Sequence, residues 1–273
     1  LMIKILNNLL DLHKKHSMFS INNFNFNSKK ALVRVDFNVP LQKETLEITD
    51  DKRIRAALPT IKKILSDNGS VIIMSHLGRP KNGPEDKFSL RHIKNRIEQL
   101  TGAQVHFSDE CIGEDAEALS EKLLPGEILL LENVRFHNEE THGDEAFAKQ
   151  LSRLGDCYVN DAFGTAHRAH ASTCQIAQFF PNAKMCGFLM EKEIQSAKSV
   201  MENTKRPFTA IVGGAKVSDK VLIVENLIDK ADHIIIGGGM AYTFKKALGG
   251  NIGNSLCEDE RLDTCLEILK NAK

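Results

Sequence analysis

Residues 158–173 read YVNDAFGTAHRAHAST. A short apolar run, Cys157, Tyr158 and Val159, turns abruptly polar at Asn160 and Asp161, and His167, Arg168 and His170 crowd in behind Gly164. This is the pattern of a buried strand emptying into a loop that carries chemistry. In open parallel α/β sheets, ligands bind outside the carboxyl ends of the strands. A lone arginine is usually a solvated surface group. Repetition overturns that default here, because three earlier apolar runs end in the same manner.

Working back toward the N-terminus, residues 31–35 (ALVRV) empty into Asp36, Phe37, Asn38, Val39 and Pro40. Asp50 is placed to cap a helix with Ile54, Leu58, Ile61 and Leu65 along one side, ending near Asn68 and Gly69. Pro59 inside it predicts a kink or two abutting helices, and Arg53 falls in its first turn. Residues 71–74 (VIIM) are uniformly apolar, as for a strand covered on both faces. They empty into Ser75, His76, Leu77, Gly78, Arg79 and Pro80. A helix capped by Ser89 carries Ile93, Ile97 and Leu100 and stops at Gly102. Residues 105–107 predict a short strand and 114–123 a helix. Residues 128–131 (ILLL) empty into Glu132, Asn133, Val134, Arg135 and Phe136, and a helix over 144–154 leads into the opening stretch. Strands alternating with helices at this spacing specify an α/β fold, a parallel sheet wrapped by helices.

Beyond it, residues 190–204 have helical periodicity and read as a link between domains. The alternation then restarts, with strands over 209–212 and 234–236. Helices follow over 218–229 and 240–248, and a last one carries Leu262, Leu266 and Leu269. The expected division is a lead-in over 1–30, a first domain over 31–189, a linking helix over 190–206 and a second domain over 207–273. Two parallel strands and three helices cannot cover each other's apolar faces. Val212, Ile235, Leu266 and Leu269 are therefore expected to lack a covering layer, and the second domain reads as incomplete.

Composition narrows the function. Thirty-six basic and thirty-six acidic residues give zero formal net charge, so any anion site must be local rather than a bulk basic surface. With two Tyr and no Trp, a stacking platform for nucleic acid is disfavoured. The six cysteines form no C-x-x-C pair, which points to reduced, buried thiols in a cytosolic protein. No apolar run approaches the roughly 18 residues needed to span a membrane. The first residues lack the continuous apolar core of a signal peptide. Ile5, Leu9 and Leu12 suggest a short amphipathic helix there, with Met18 as the expected natural start.

The four strand ends and one helix start of the first domain deliver Asp36, Asn38, His76, Arg79, Arg135, Arg168 and Arg53. Arginines converging on one edge suit a compact, multiply charged anion, because the planar guanidinium bonds phosphate or carboxylate in pairs. In the second domain Gly213, Gly214, Ala215, Lys216, Val217, Ser218, Asp219 and Lys220 follow a strand, and Gly237, Gly238 and Gly239 follow the next. Glycines there free backbone N–H groups to approach an anion beside a helix N-terminus. Gly-Lys-Ser/Thr is absent, so this is no P-loop, and Tyr242 stands where a dinucleotide fingerprint needs its third glycine.

RVDFNVP, DKRIRAALP, SHLGRP, LLENVRF, YVNDAFGTAHRAHAS, GGAKVSDK and GGGMAYTF recur in this order with the spacing of one family. From residue 31 to 273 the chain resembles phosphoglycerate kinase. The resemblance implies a two-domain, Rossmann-like, hinge-bending cytoplasmic monomer. Its reaction would be the reversible transfer of the acyl phosphate of 1,3-bisphosphoglycerate to Mg-ADP, giving 3-phosphoglycerate and ATP. It implies phosphoglycerate binding by Asp36, Phe37, Asn38, Arg53, His76, Leu77, Gly78, Arg79, Arg135 and Arg168. It implies nucleotide binding by Gly214, Ala215, Lys216, Lys220, Gly237 and Gly238. Arg53 and Lys216 are the expected catalytic charges, and Mg2+ is expected only as the partner of ADP or ATP. Members of the family continue past the last motif found here, so 3-phosphoglycerate binding with little turnover is expected of this chain. Two rivals remain: a nicotinamide-dependent dehydrogenase, against which the imperfect glycine fingerprint speaks, and a non-enzymatic anion-binding module.

Overall fold

A computed structural model describes residues 20–272 except Asn82, His167 and Asn203, together with side chains other than those of Met201 and Glu202. The expected N-terminal helix, the Met18 start and His167 lie outside the described residues. The chain divides into two compact units at Ile194–Gln195.

Among the described residues the first unit holds six strands, β1 (Lys30–Arg34), β2 (Ser70–Met74), β3 (Val105–Ser108), β4 (Ile128–Leu131), β5 (Cys157–Asn160) and β6 (Lys184–Cys186). All pairings are parallel, in the order β3-β4-β2-β1-β5-β6. Strand residues alternate between faces, and here both faces are buried. Ala31, Val33, Val71, Ile73, Ile128 and Leu130 pack on one side, and Leu32, Ile72, Met74, Leu129, Leu131 and Tyr158 on the other. This two-sided cover explains why VIIM and ILLL are apolar throughout.

Helix α1 (Lys52–Ser66) lies on the first of these faces through Ile54, Ala57, Ile61 and Ile64. The expected line through Leu58 and Leu65 is displaced, and both are only partly buried. Pro59 breaks nothing, since one continuous helix runs through it. Its missing N–H would have bonded the carbonyl of Arg55, an exposed residue, where water can serve instead. Asp50 does not cap the helix; its Oδ1 accepts the Lys52 N–H from outside, and Asp51 holds the cap position.

Ser89 Oγ accepts the Arg91 N–H and opens a 3₁₀ turn that continues as α2 (Lys94–Thr101), ended by Gly102 at φ 72°. The remaining helices are α3 (Glu114–Lys122), α4 (Asn138–His142) and α5 (Glu145–Ser152), the last capped by Asp144 Oδ1 on the Phe147 N–H at 2.7 Å. Among the described strands and α-helices, β6 and α4 escape the sequence reading. Each is too short to show a period.

Helix α6 (Phe188–Glu202) crosses the boundary between the units. In the second unit β7 (Thr209–Gly213) pairs in parallel with β8 (His233–Gly237), accompanied by α7 (Val221–Ile228), α8 (Met240–Ala247) and α9 (Leu262–Asn271). Val212, Val217, Val224, Met240, Phe244, Cys265 and Ile268 form its core. Contrary to expectation, Val212 is covered, and Leu269 packs against this core. The open face carries the register pair Ile211 and Ile235, 75% and 52% exposed, because odd-numbered β7 residues point away from the helices. Leu266 is exposed as expected, and α9 buries Cys265 and Ile268 instead.

All six cysteines are free; Cys111, Cys157, Cys186 and Cys265 are buried, whereas Cys174 is exposed and Cys257 partly so. Among the described residues no helix is long and apolar enough to cross a membrane.

Candidate functional site

The order of the first sheet reverses between β1 and β5, which lie side by side although five helices and three strands separate them in sequence. A crevice outside the strand ends opens at such a reversal. The β1 and β2 ends are stitched together there. Phe37 N–H donates to Ser75 Oγ at 2.8 Å, and Gly78 N–H donates to Asn38 Oδ1 at 2.8 Å. That leaves the Asn38 NH2 as its donor toward a ligand. Asp36 accepts the Asn38 N–H at 3.2 Å and the Arg53 Nη1 at 2.5 Å, so a β1 carboxylate restrains an α1 arginine. Gly78 sits at φ +64°, where a Cβ would strike the Phe88 ring.

The β4 end is tied to the β2 end by one asparagine. Asn133 Nδ2 donates to Leu77 O and Phe88 O at 2.7 and 2.9 Å, its Oδ1 accepts the Arg135 N–H, and Arg135 Nη1 donates to Gly78 O at 2.8 Å. Glu132 anchors the same turn, accepting Ser89 Oγ, Leu90 N and Asn133 N at 2.6–2.8 Å.

Behind these groups lies a residue that the sequence reading passed over as part of a strand. Arg34 is fully buried. Its Nε donates to Ser172 Oγ at 2.7 Å, its Nη1 bonds Val35 O, and its Nη2 lies 3.4 Å from His76 Nδ1. Ser172 passes the link on, donating Oγ–H and N–H to the buried Glu140 carboxylate at 2.7 and 2.8 Å. His170 Nδ1 is 3.6 Å from Glu140 Oε1, close enough for electrostatic pairing and too far for a hydrogen bond. Burial pushes the Glu140 carboxyl up, but His170, the Arg34 charge and Ser172 outweigh it and hold the group below its ordinary value. Thr173 Oγ1 and Tyr158 OH, bonded to Arg168 O and Ser172 O, fix the remainder of the loop that carries Arg168.

The electrostatics identify what this edge lacks. Burial, reinforced by Arg34, Arg135, Arg53 and Arg168, drives His76 down to about 2, so its ring is neutral in ordinary buffers. Since Arg34 has only donors, Nδ1 is the acceptor and the proton resides on Nε2, which faces Asp36 Oδ1 at 3.9 Å. Arg135 is lowered to about 10 by burial and by Arg168, Arg34 and Arg79, with Glu140 opposing. Arg34, Arg79 and Arg168 thus crowd Arg135, and a neutral imidazole lies among these charges; Asp36, paired with Arg53, and Glu140, linked to Arg34 through Ser172, are the carboxylates beside them. An anion with several oxygens relieves that repulsion. Phe37 and Leu77 contribute backbone to these loops, while their side chains lie in the core.

In the second unit the loops after β7 and β8 pack backbone to backbone. Gly238 is at φ +69°, and a Cβ on it would come within 2.8 Å of Gly214 O; one on Gly239 would lie 3.0 Å from Ala215 O. Met240 N–H donates to Gly214 O at 2.9 Å. The glycines are therefore spent on close approach between the loops. The aliphatic stem of Lys220 covers Gly214, and Lys216 is exposed. Gly214, Ala215, Lys216, Lys220, Gly237 and Gly238 are thus brought to one sheet edge. The expected free N–H groups are partly taken: Val217 N–H and Ser218 N–H both donate to Glu258 Oε2, at 2.5 and 3.1 Å. No local signal marks Glu258, which lies 41 positions beyond Val217.

Over residues 21–273 the sequence matches the family model described as Phosphoglycerate kinase. It is 52% identical over 277 aligned positions to the phosphoglycerate kinase of Porphyromonas gingivalis, covering 93% of this chain and 66% of that protein. It is 49% identical to that of Campylobacter concisus, covering 94% and 64%. The solved phosphoglycerate kinases of Coxiella burnetii and Pyrococcus horikoshii superpose with TM-scores of 0.78 and 0.79 at 38% and 32% identity. Each superposition covers 93% of this chain, and 63% and 65% of the respective solved chains. The chain spans about two thirds of the length of these relatives.

Proposed function

The chain belongs to the phosphoglycerate kinase family, and we propose that it acts in the reversible transfer of the acyl phosphate of 1,3-bisphosphoglycerate to ADP, giving 3-phosphoglycerate and ATP. The observation that carries this reading is the set of mutually repelling arginines gathered around neutral His76 at the strand ends of the first unit. Phosphoryl transfer is catalysed mainly by positioning and by charge on the transferring group's oxygens. In this reading Arg53, Arg79, Arg135 and Arg168 hold the phosphate and carboxylate of the three-carbon acid. Asp36, the Asn38 NH2 and the His76 Nε2–H read its hydroxyl and remaining oxygens.

Lys216 follows the phosphoryl group in transit, and Lys220 holds a nucleotide phosphate beside Gly214, Ala215, Gly237 and Gly238. Mg2+ enters as part of the nucleotide substrate. It favours oxygen ligands and is commonly bound through phosphates with one or two carboxylates, and Asp219, exposed in the same loop, is the carboxylate offered. The domain limits proposed are 31–189 and 207–273, joined by 190–206, in a cytoplasmic monomer.

Calorimetry with 3-phosphoglycerate tests the reading. Arg168→Ala should weaken binding about 10- to 100-fold, the worth of one shielded charge-assisted contact, and leave Mg-ADP affinity unchanged. Equal 3-phosphoglycerate affinity in the variant would remove Arg168 from the site. Binding of inorganic phosphate alone, with no preference for the three-carbon acid, would favour a general anion-binding module.

A further inference from the structure

The loop that carries Lys216 is held by a carboxylate from a segment to which the motifs assign nothing. Glu258 is 8% exposed. Its Oε2 accepts the Val217 and Ser218 N–H groups at 2.5 and 3.1 Å, and its Oε1 accepts the Ser218 hydroxyl at 2.6 Å. Its own N–H donates to Thr243 Oγ1 at 3.2 Å, on α8. The Val217 carbonyl, for its part, accepts the N–H groups of Lys220 and Val221 at 2.8 and 2.9 Å. Residues 217–220 therefore form the turn leading into α7, and their early N–H groups have no carbonyl of that helix to bond. Such donors are ordinarily met by a nearby Ser, Thr, Asp or Asn. Here Lys220 occupies the cap position and makes no side-chain cap.

We infer that Glu258 is a positioning residue for the lysine loop: its carboxylate fixes the backbone from which Lys216 projects. The inference rests on the reading of this loop as the nucleotide end of the site. Two features support it together. Val217, the residue directly after Lys216, is anchored twice, by its buried side chain and by Glu258. Thr243 ties Glu258 to α8, whose entry at Gly239 lies against Ala215, so the clamp spans both glycine loops.

The test uses the full chain, its Glu258→Ala and Glu258→Gln variants, residue-resolved hydrogen exchange, and calorimetry with Mg-ADP and with 3-phosphoglycerate. In Glu258→Ala, exchange at Val217 and Ser218 should rise about 10- to 100-fold, the factor carried by a charge-assisted bond. The amides bonded in the β7–β8 ladder should keep their protection. Mg-ADP affinity should fall about 10-fold with that of 3-phosphoglycerate unchanged, following the loss of one such bond. Glu258→Gln retains an acceptor oxygen of the same reach and should restore most of both effects. Unchanged exchange at Val217 and Ser218 would overturn the clamp. So would protection lost evenly across the second unit, which would make Glu258 a general stabiliser. Freed amides with undiminished Mg-ADP affinity would overturn the positioning role. If the unaltered chain binds no Mg-ADP, the nucleotide reading fails, and the exchange comparison alone decides the clamp.

Discussion

Replacing His76 with glutamine is expected to remove a loss of stability that the protein suffers as pH falls below 6.5, the ordinary value of the imidazole. The side chain is 4% exposed and ringed by arginines, and its folded value lies near 2. Between those two values the unfolded chain takes up a proton that the folded chain refuses. Well below 6.5 each unit of acidification therefore costs about 1.4 kcal/mol of folding free energy from this group, and the loss between pH 6.5 and 4.5 is about 2.3 kcal/mol. Stability attributable to His76 is fully present above 6.5 and declines as pH falls, the sign expected for a group whose folded value is depressed. Glutamine keeps an acceptor for Arg34 Nη2 and cannot titrate.

With no tryptophan in the chain, urea unfolding is best followed by far-ultraviolet circular dichroism, at pH 7.5, 6.5, 5.5 and 4.5. The variant and the unaltered protein should converge or cross as the pH drops. The His76 ring should also show no titration by nuclear magnetic resonance between pH 8 and 4.5. A constant difference in stability across that range, or a ring titrating near 6, would refute the account of a neutral imidazole held among the arginines.

Other outcomes follow from the same geometry. In a chain extended to the full length of its relatives, Lys216→Ala should lower kcat about 100- to 1,000-fold, as does loss of a donor that acts on the transition state, with little change in KM for 3-phosphoglycerate. A rise in KM for ADP at constant kcat would make Lys216 a ground-state phosphate contact. Glu132→Ala leaves the donors of Ser89, Leu90 and Asn133 without their acceptor in a buried turn. It should cost about 3 kcal/mol and lower the melting temperature by about 6–12 °C. Exposed Glu139→Ala serves as the control, and equal shifts in the two variants would discount the turn.

Much of this protein is written locally. VIIM and ILLL announce strands covered on both sides. The polar break after each announces a loop at a carboxyl end, and the residues standing there are Asn38, His76, Arg135 and Arg168. Gly102 ends its helix as the sequence indicates. These features depend on a residue and its near neighbours, so composition and period reveal them. Arg34 shows where that stops. Within ALVRV it is one more strand position, yet folding buries it and pairs it with Ser172, 138 positions away, and through that serine with Glu140. Glu258 likewise acquires its meaning only when the chain returns to Val217. The choice of Ala57 and Ile64 over Leu58 and Leu65 as the buried side of α1 is set by how the helix lies on the sheet. Periodicity locates elements because it is a property of neighbours along the chain. The partner of a buried charge is chosen by packing between distant segments, and only the tertiary structure contains that choice.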